Sequence, residues 1–370
     1  MAERSVLVVS ASAGMGHVRA GEALQWALAE RGLDCEHVDI LALGPRWVRA
    51  AYGGGFRLLA GRAPAIWRGL YVLSDGPDED EARWGPAAHR LLFRSFARLL
   101  SSRRWSACVC THFLPAQLAS GRPGVPPFSL VVTDFSLHRY WLQPRVANYY
   151  VAMPSLAETL SQRLPGARVE ATGIPIASAF ANAEAWPDAR AALSLPEKGA
   201  VALVMSGSFG LGIEAAVTAA LSADPGLHVV AICGANEEAR RRLAEHPLAG
   251  GRLRVHGMVH DVERFVVAAD VVVTKPGGLT SSEVLALGRP LILTRPIPGH
   301  EEENAAVLQR AGAALRAHDE TSLANALRRL LRDPGLRMAM AGSARALGRA
   351  HAASDIARSV AGRLERRAVA

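Results

Sequence analysis

Apolar runs without helical period, each closing on small or polar residues, recur along the chain. Ser5 to Ser10 is one; a glycine-bearing turn follows it, then a helical pattern from Ala20 to Leu28, so the order reads strand, loop, helix. The sign returns where Trp105 to Cys110 leads into Thr111-His112-Phe113, Phe128 to Val132 into Thr133-Asp134, and Asn148 to Val151 into Met153-Pro154-Ser155. Continuous apolar runs are what parallel strands covered on both faces look like, and open sheets of that kind bind ligands outside their carboxyl ends. After Thr172-Gly173-Ile174-Pro175 an Ala-rich polar stretch runs to Lys198, and Ala200 to Met205 with Ser206-Gly207-Ser208-Phe209-Gly210 then restarts the plan. Later strands are expected at His228 to Cys233, Leu253 to Val255, Val271 to Val273 and Leu291 to Leu293, and Pro334 to Ala370 has helical composition. The pattern predicts an α/β protein of two doubly wound domains, residues 1–178 and 179–345, with a helix in 346–370 able to pack back on the first.

Composition agrees with a folded chain: 370 residues, 50% hydrophobic and 21% charged, enough for two domains with sizeable cores. The net charge of +8 comes mostly from arginine and favours anionic partners, whether phosphate groups, nucleic acid or an acidic membrane. No leader is expected at Met1-Ala2-Glu3-Arg4, and no window approaches the roughly 18 to 20 apolar residues of a spanning helix, so membrane contact would be peripheral. The scattered Cys35, Cys108, Cys110 and Cys233 read as reduced core residues.

The richest segment is Lys275-Pro276-Gly277-Gly278-Leu279-Thr280-Ser281-Ser282-Glu283, placed between a strand and a helix. Two glycines allow close approach of backbone to a phosphate, the N–H groups of the helix start suit a diphosphate, and Thr280 and Ser281 add hydroxyls. Glu283, a turn further on, is positioned to accept hydrogen bonds from ribose hydroxyls. An ordinary capped helix is the competing reading. Ser206 to Gly212 is a second glycine turn, equally readable as a tight turn without a ligand. Arg295-Pro296-Ile297-Pro298-Gly299-His300-Glu301-Glu302-Glu303-Asn304 follows the Leu291 strand; its carboxylates and amide suit sugar hydroxyls or a solvated helix start.

In the first half, Ser10-Ala11-Ser12-Ala13-Gly14-Met15-Gly16-His17 places His17 at a helix start, which disfavours the imidazolium and leaves a base near neutral pH. A phosphate loop with a structural histidine is the alternative. Thr133-Asp134-Phe135-Ser136-Leu137-His138-Arg139-Tyr140-Trp141 adds an acid able to orient His17 or His138, and Trp141 as the floor of an acceptor pocket. Between Pro45 and Ser74 lie five arginines, no acid, and aromatics including Trp47 and Trp67, a mixture suited to an anionic bilayer interface or to buried helices with snorkelling arginines. Arg90, Arg94 and Arg98 share one helical face beside it. No nucleic-acid motif accompanies this basic surface. Asp78-Glu79-Asp80 reads as a solvated loop, and no His/Cys cluster has metal-ligand spacing.

In order, Ser-Ala-Ser-x-Gly-x-Gly-His at 10–17, Thr-Asp-x-x-x-His-x-x-Trp at 133–141, Thr172-Gly173-Ile174-Pro175, Val255-His256-Gly257-Met258-Val259, Thr274-Lys275-Pro276-Gly277-Gly278 with Glu283, and Pro298-Gly299-His300-Glu301 with Asn304 resemble the family of monogalactosyldiacylglycerol synthases and processive diacylglycerol glucosyltransferases, and more distantly the MurG-type N-acetylglucosaminyltransferases. The resemblance spans about residues 5 to 310. It implies a GT-B fold, two Rossmann-like domains facing across a cleft, and inverting transfer of galactose or glucose from a UDP-sugar to a lipid hydroxyl, diacylglycerol, without a metal or other cofactor. It implies His17, Asp134 and His138 as the catalytic group. The donor would lie against Gly16, Gly207, Ser208, Phe209, Met258, Val259, Gly277, Gly278, Leu279, Thr280, Glu283, His300, Glu301 and Asn304, with the backbone at Met258 and Val259 reading uracil. His300 stands where the family commonly has glutamine. Acceptor and anionic membrane fall to Trp47, Trp67 and Trp141, at the cytoplasmic face, with no nucleic acid. A UDP-sugar glycosyltransferase with a soluble acceptor and a non-catalytic nucleotide-sugar-binding protein are the alternatives.

Overall fold

The structure, a computed structural model, describes residues 5–50, 91–119 and 124–369. Its chain divides into two compact units, one of Met1–Ser178, Ile297–His300 and His351–Ala370, the other of Ala179–Pro296 and Glu301–Ala350. Each is built on a six-stranded sheet whose strand pairs are all parallel.

In the first unit the strands are β1 (Ser5–Ser10), β2 (Asp34–Asp39), β3 (Ala107–Cys110), β4 (Phe128–Val131), β5 (Asn148–Tyr150) and β6 (Arg168–Glu170), in the order β2-β1-β3-β4-β5-β6. Alternate residues Val6, Val8, Ala107, Val109, Val131 and Tyr150 project to one face and are buried there against Leu24 and Leu28 of helix Met15–Ala29 and Ile356, Val360 and Leu364 of helix Ala352–Val369. Each such buried aliphatic side chain contributes about 1.5–3 kcal/mol. Polar contacts fix the last helix in place: Ser359 Oγ donates to Glu170 Oε1 at 2.6 Å, Arg363 Nη1 lies 3.2 Å from the same oxygen, and Arg363 also meets the Tyr150 hydroxyl.

The second unit contains β7 (Val201–Met205), β8 (His228–Ile232), β9 (Leu253–His256), β10 (Val271–Thr274), β11 (Leu291–Thr294) and β12 (Ala314–Ala317), ordered β12-β11-β10-β7-β8-β9. In both sheets the first strand in sequence is internal, and the chain winds outward on one side of it before crossing to the other. The reversal leaves a crevice outside the carboxyl ends of β1 and β3 in one sheet and of β7 and β10 in the other, the position at which such sheets hold ligands.

The apolar runs of the sequence became β1, β3, β4, β5, β7, β8, β9, β10 and β11. Three strands have no such run: β2, β6 and β12, all at sheet edges, with sequences Asp-Cys-Glu-His-Val-Asp, Arg-Val-Glu and Ala-Leu-Arg-Ala. An edge strand is covered less completely and tolerates charge, so the continuous apolar signal disappears.

A buried cation, also absent from the sequence reading, ties the second unit together. Arg190, 2% exposed, donates from Nε to the Ala268 carbonyl at 3.0 Å, from Nη1 to the Pro196 and Gly199 carbonyls at 3.0 and 2.9 Å, and from Nη2 to Asp270 Oδ2 at 2.8 Å. Its guanidinium lies 4.0 Å from the centre of the Trp186 ring, and Asp270 Oδ2 also accepts the Val201 N–H at 2.8 Å. Helix Trp186–Ala192 is thereby joined to the start of β7 and the approach to β10. Removing one partner of a buried, fully hydrogen-bonded ion pair typically costs about 3–5 kcal/mol. Arg190→Ala is expected to lose that much in denaturant unfolding; a loss below about 1 kcal/mol would show the clamp to be incidental.

Candidate functional site

The first crevice is organised around His17. Helix Met15–Ala29 starts from an extended cap at Gly14, which puts Gly16 and His17 in its first turn, level with the ends of β1 and β3. His17 Nδ1 lies 2.9 Å from the Thr111 carbonyl oxygen and 2.9 Å from Thr133 Oγ1, while Thr111 Oγ1 donates back to the His17 carbonyl at 2.8 Å. A carbonyl can only accept, so Nδ1 carries the proton and Nε2 keeps its lone pair. The two other histidines here are held in the opposite tautomer. His112 Nδ1 accepts the Leu114 N–H at 3.1 Å and His138 Nδ1 accepts the Tyr140 N–H at 3.2 Å, which leaves Nε2–H on each. The geometry thus leaves a lone pair on His17 Nε2 and a proton on His138 Nε2, two residues the sequence had grouped together.

Aromatic rings surround His17. His112 stands edge-on to His17, ring centres 4.8 Å apart, and Trp141 lies 6.4 Å from His17 and 5.7 Å from Phe113. Trp141, expected as the floor of an acceptor pocket, is only 3% exposed and packs beside these rings. Burial holds the His17 pKa below the ordinary imidazole value, against the charge of Asp134, which favours the protonated ring. Desolvation is therefore the leading cause of the neutral ring where the sequence had pointed to the helix start. Burial also pushes His112 well below the usual range.

Three loops meet at the second crevice. After β7, Ser206 Oγ donates to the Leu211 carbonyl at 2.6 Å and closes a turn in which Gly207, Gly210 and Gly212 all have positive φ. Glycine is required at 210, where a Cβ would come within 2.2 Å of the Cys233 carbonyl oxygen. After β10, helix Gly278–Ala286 begins at Gly277 with no side-chain cap and no acid in its first turn, which leaves its amide groups for an anion. Gly278 and Leu279 are buried in that turn, Thr280 is half-buried, and Glu283 is 6% exposed. Ser281 is completely buried, and its hydroxyl has no hydrogen-bond partner among the described residues.

Helix His300–Arg310, after β11, supports the loop from behind. Lys275 Nζ pairs with Glu301 Oε1 at 3.1 Å, and Asn304 Nδ2 donates to the Pro276 carbonyl at 3.1 Å. Glu301 and Asn304 are 5% and 0% exposed. Both are expected to face sugar hydroxyls; in the structure they contact the Pro-Gly-Gly turn and Lys275, and half-buried His300 begins their helix. Ser208 is half-buried, while Phe209 and Met258 are exposed on the loops after β7 and β9, with half-buried Val259 following. Arg295, assigned no role of its own from the sequence, lies one residue past β11 with a left-handed φ of 45°, and its Nη1 would stand 2.6 Å from a Cβ at Gly212. Trp47 is exposed; Trp67, Arg90 and Asp78 to Asp80 lie outside the described residues. Among the described residues no three His, Cys, Asp or Glu side chains converge as metal ligands.

A base with a lowered pKa stays neutral to more acidic pH. The acid limb of kcat/KM is accordingly expected to have its midpoint below about 6.5. Asp134→Asn removes a pull towards protonation and should move the limb further to acid; a shift towards neutral pH would contradict the assignment of His17.

The monogalactosyldiacylglycerol synthase family model matches residues 17–176, and the model for glycosyl transferases group 1 matches residues 199–347. A processive diacylglycerol beta-glucosyltransferase of Bacillus cytotoxicus is 26% identical over 89% of this chain and 86% of its own length. The enzyme of the same name from Staphylococcus carnosus is 33% identical over 50% of this chain and 48% of its own. Among solved structures, MurG of Acinetobacter baumannii superposes with a TM-score of 0.64 at 19% identity, covering 97% of this chain and 99% of that one. A Phytolacca americana glycosyltransferase, solved with UDP-2-fluoro-glucose and pterostilbene, gives 0.64 at 13% identity, covering 98% and 100%. With both sheets wound as these folds require and each half matched to its own model, the chain has the GT-B glycosyltransferase fold and resembles the monogalactosyldiacylglycerol synthases and processive diacylglycerol glucosyltransferases.

Proposed function

We propose that the protein transfers a hexose, glucose or galactose, from a UDP-sugar to the free hydroxyl of diacylglycerol, with inversion at the anomeric carbon and without a metal ion. The observation that carries this reading is the tautomer of His17: its Nδ1–H is held by the Thr111 carbonyl, so Nε2 can take the acceptor proton. The acceptor oxygen attacks the anomeric carbon, the bond from that carbon to the β-phosphate oxygen breaks, and UDP leaves with the electron pair. Helix start Gly278–Ala286 and the glycine turn after β7 receive the diphosphate, and Glu283 the ribose.

Lipid as acceptor is supported by the surface of the first unit as well as by the relatives' names. Arg46, Trp47 and Arg49 are exposed on helix Arg46–Ala50, and Arg94 and Arg98 on helix Arg94–Ser102, whose Phe96 and Leu100 are buried. Both helices pack against the turn Ile40–Leu43, and neither contains an acid. Cations beside an exposed indole suit the cytoplasmic leaflet of a membrane with anionic headgroups, and this basic face has no motif for reading nucleic acid. Among the described residues no helix is long and apolar enough to cross a bilayer.

Purified protein with diacylglycerol vesicles and a panel of UDP-sugars, read by mass spectrometry of the lipids, is expected to yield a monohexosyl product. His17→Ala should bind UDP as the wild type does yet lose about 10²–10⁴-fold in transfer. Glu283→Ala should weaken UDP binding by roughly 10-fold or more. Sugar found only on soluble acceptors would sink the lipid reading.

Co-sedimentation with vesicles containing anionic lipid should fall on Trp47→Ala, or Trp67→Ala, and should weaken as salt rises. Binding indifferent to lipid charge would remove the docking face.

A further inference from the structure

We infer that Lys275 is the cation that meets the departing phosphate, and that Glu301 is its positioning carboxylate. The inference rests on reading the second unit as a nucleotide-sugar site. Lys275 is the first residue after β10, at the point where the winding of the sheet reverses. Its Nζ pairs with Glu301 Oε1 at 3.1 Å, with side-chain exposures of 19% and 6%. The end of the side chain also reaches the glycine turn after β7: Cε lies 3.5 Å and Nζ 4.0 Å from where a Cβ at Gly207 would sit. The ammonium therefore stands between the two turns that suit a diphosphate, held there by an anion behind it.

Composition supplies an independent argument. Of the 42 lysines and arginines in the chain only two are lysines, Lys198 and Lys275, and Lys198 is exposed. Where arginine is used almost everywhere, an enclosed lysine in a ligand crevice marks a position that takes a compact point charge and not a planar fork. Nor does the loop need Lys275 for its shape, since Asn304 already holds the Pro276 carbonyl and Ser282 Oγ donates to the Gly278 carbonyl at 2.8 Å.

During transfer the new bond joins the acceptor oxygen to the anomeric carbon, the acceptor proton goes to His17 Nε2, and the electron pair of the broken bond settles on the β-phosphate oxygen. Negative charge thus grows on the diphosphate as the sugar leaves. A fixed cation against that oxygen favours the transition state more than the bound substrate, and removing one such group typically costs about 10²–10³ in kcat.

The test compares uridine, UMP and UDP binding and steady-state kinetics in the full chain. Lys275→Met is expected to bind uridine as the wild type does, to lose at least tenfold in UDP affinity, and to fall about 10²-fold in kcat. Because Lys275→Met leaves Glu301 buried without its cation, the double variant Lys275→Met/Glu301→Gln is measured beside it. That variant should melt like the wild type and still fail to prefer UDP over uridine. Lys275→Met that folds and keeps both UDP preference and kcat overturns the assignment, as does a double variant that regains them, since Lys275 would then serve only to neutralise Glu301. Wild-type protein that binds neither uridine nor UDP removes the nucleotide-sugar reading, and the assignment with it.

Discussion

A strand that pairs in parallel with its neighbour must be reached by a crossover, and the crossover covers the sheet. That constraint governs both halves of this chain. With helices on both faces, the polar atoms that chemistry needs can emerge only where the strands end, and the reversal of winding at β1 and β7 opens one crevice in each unit. His17 and Lys275 stand at these two places for the same topological reason, although one lies in the first turn of a helix and the other directly after a strand.

Central strands were legible because burial on both faces leaves a run such as Val6 to Val9 or Val271 to Val273 with no choice but apolar side chains. Edge strands were not: β2 presents Asp34, Glu36 and Asp39 among its six residues, and nothing in a local window distinguishes that from a loop. Glycine turns, the Lys275–Glu283 segment and His17 were legible as candidates, each beside a plain structural reading of the same residues. What a sequence does not contain is direction. Glu301 and Asn304 have the right groups for a sugar, but their position on helix His300–Arg310 turns them towards Pro276 and Lys275. The role of Thr111 rests on its backbone carbonyl, an atom every residue has, so no residue-type signal announces it.

The two units rely on different physics for their polar groups. Around His17 the protein withholds water, so a ring that would titrate near neutrality stays neutral and its tautomer is set by a single carbonyl. In the second unit charge is compensated instead: Lys275 meets Glu301, and Arg190 meets Asp270 with a shell of carbonyls. Desolvation suits a base that must be uncharged when it acts. Paired charge suits a site whose ligand arrives carrying its own.

The helix Ala352–Val369 has a consequence for how the protein is made. Ile356, Val360 and Leu364 complete the same apolar layer as Val6, Val8, Leu24 and Leu28. During synthesis the ribosome delivers β1 first and this helix only after the whole second unit, about 340 residues later. Until then one face of the first sheet lacks its cover, and the nascent chain carries an open apolar seam. The second unit, whose core is closed by helices on either side of it in sequence, can fold inside that interval. Docking of this helix thus completes the layer that also buries the helix carrying His17, and a chain stalled or cleaved before residue 352 would leave that seam exposed.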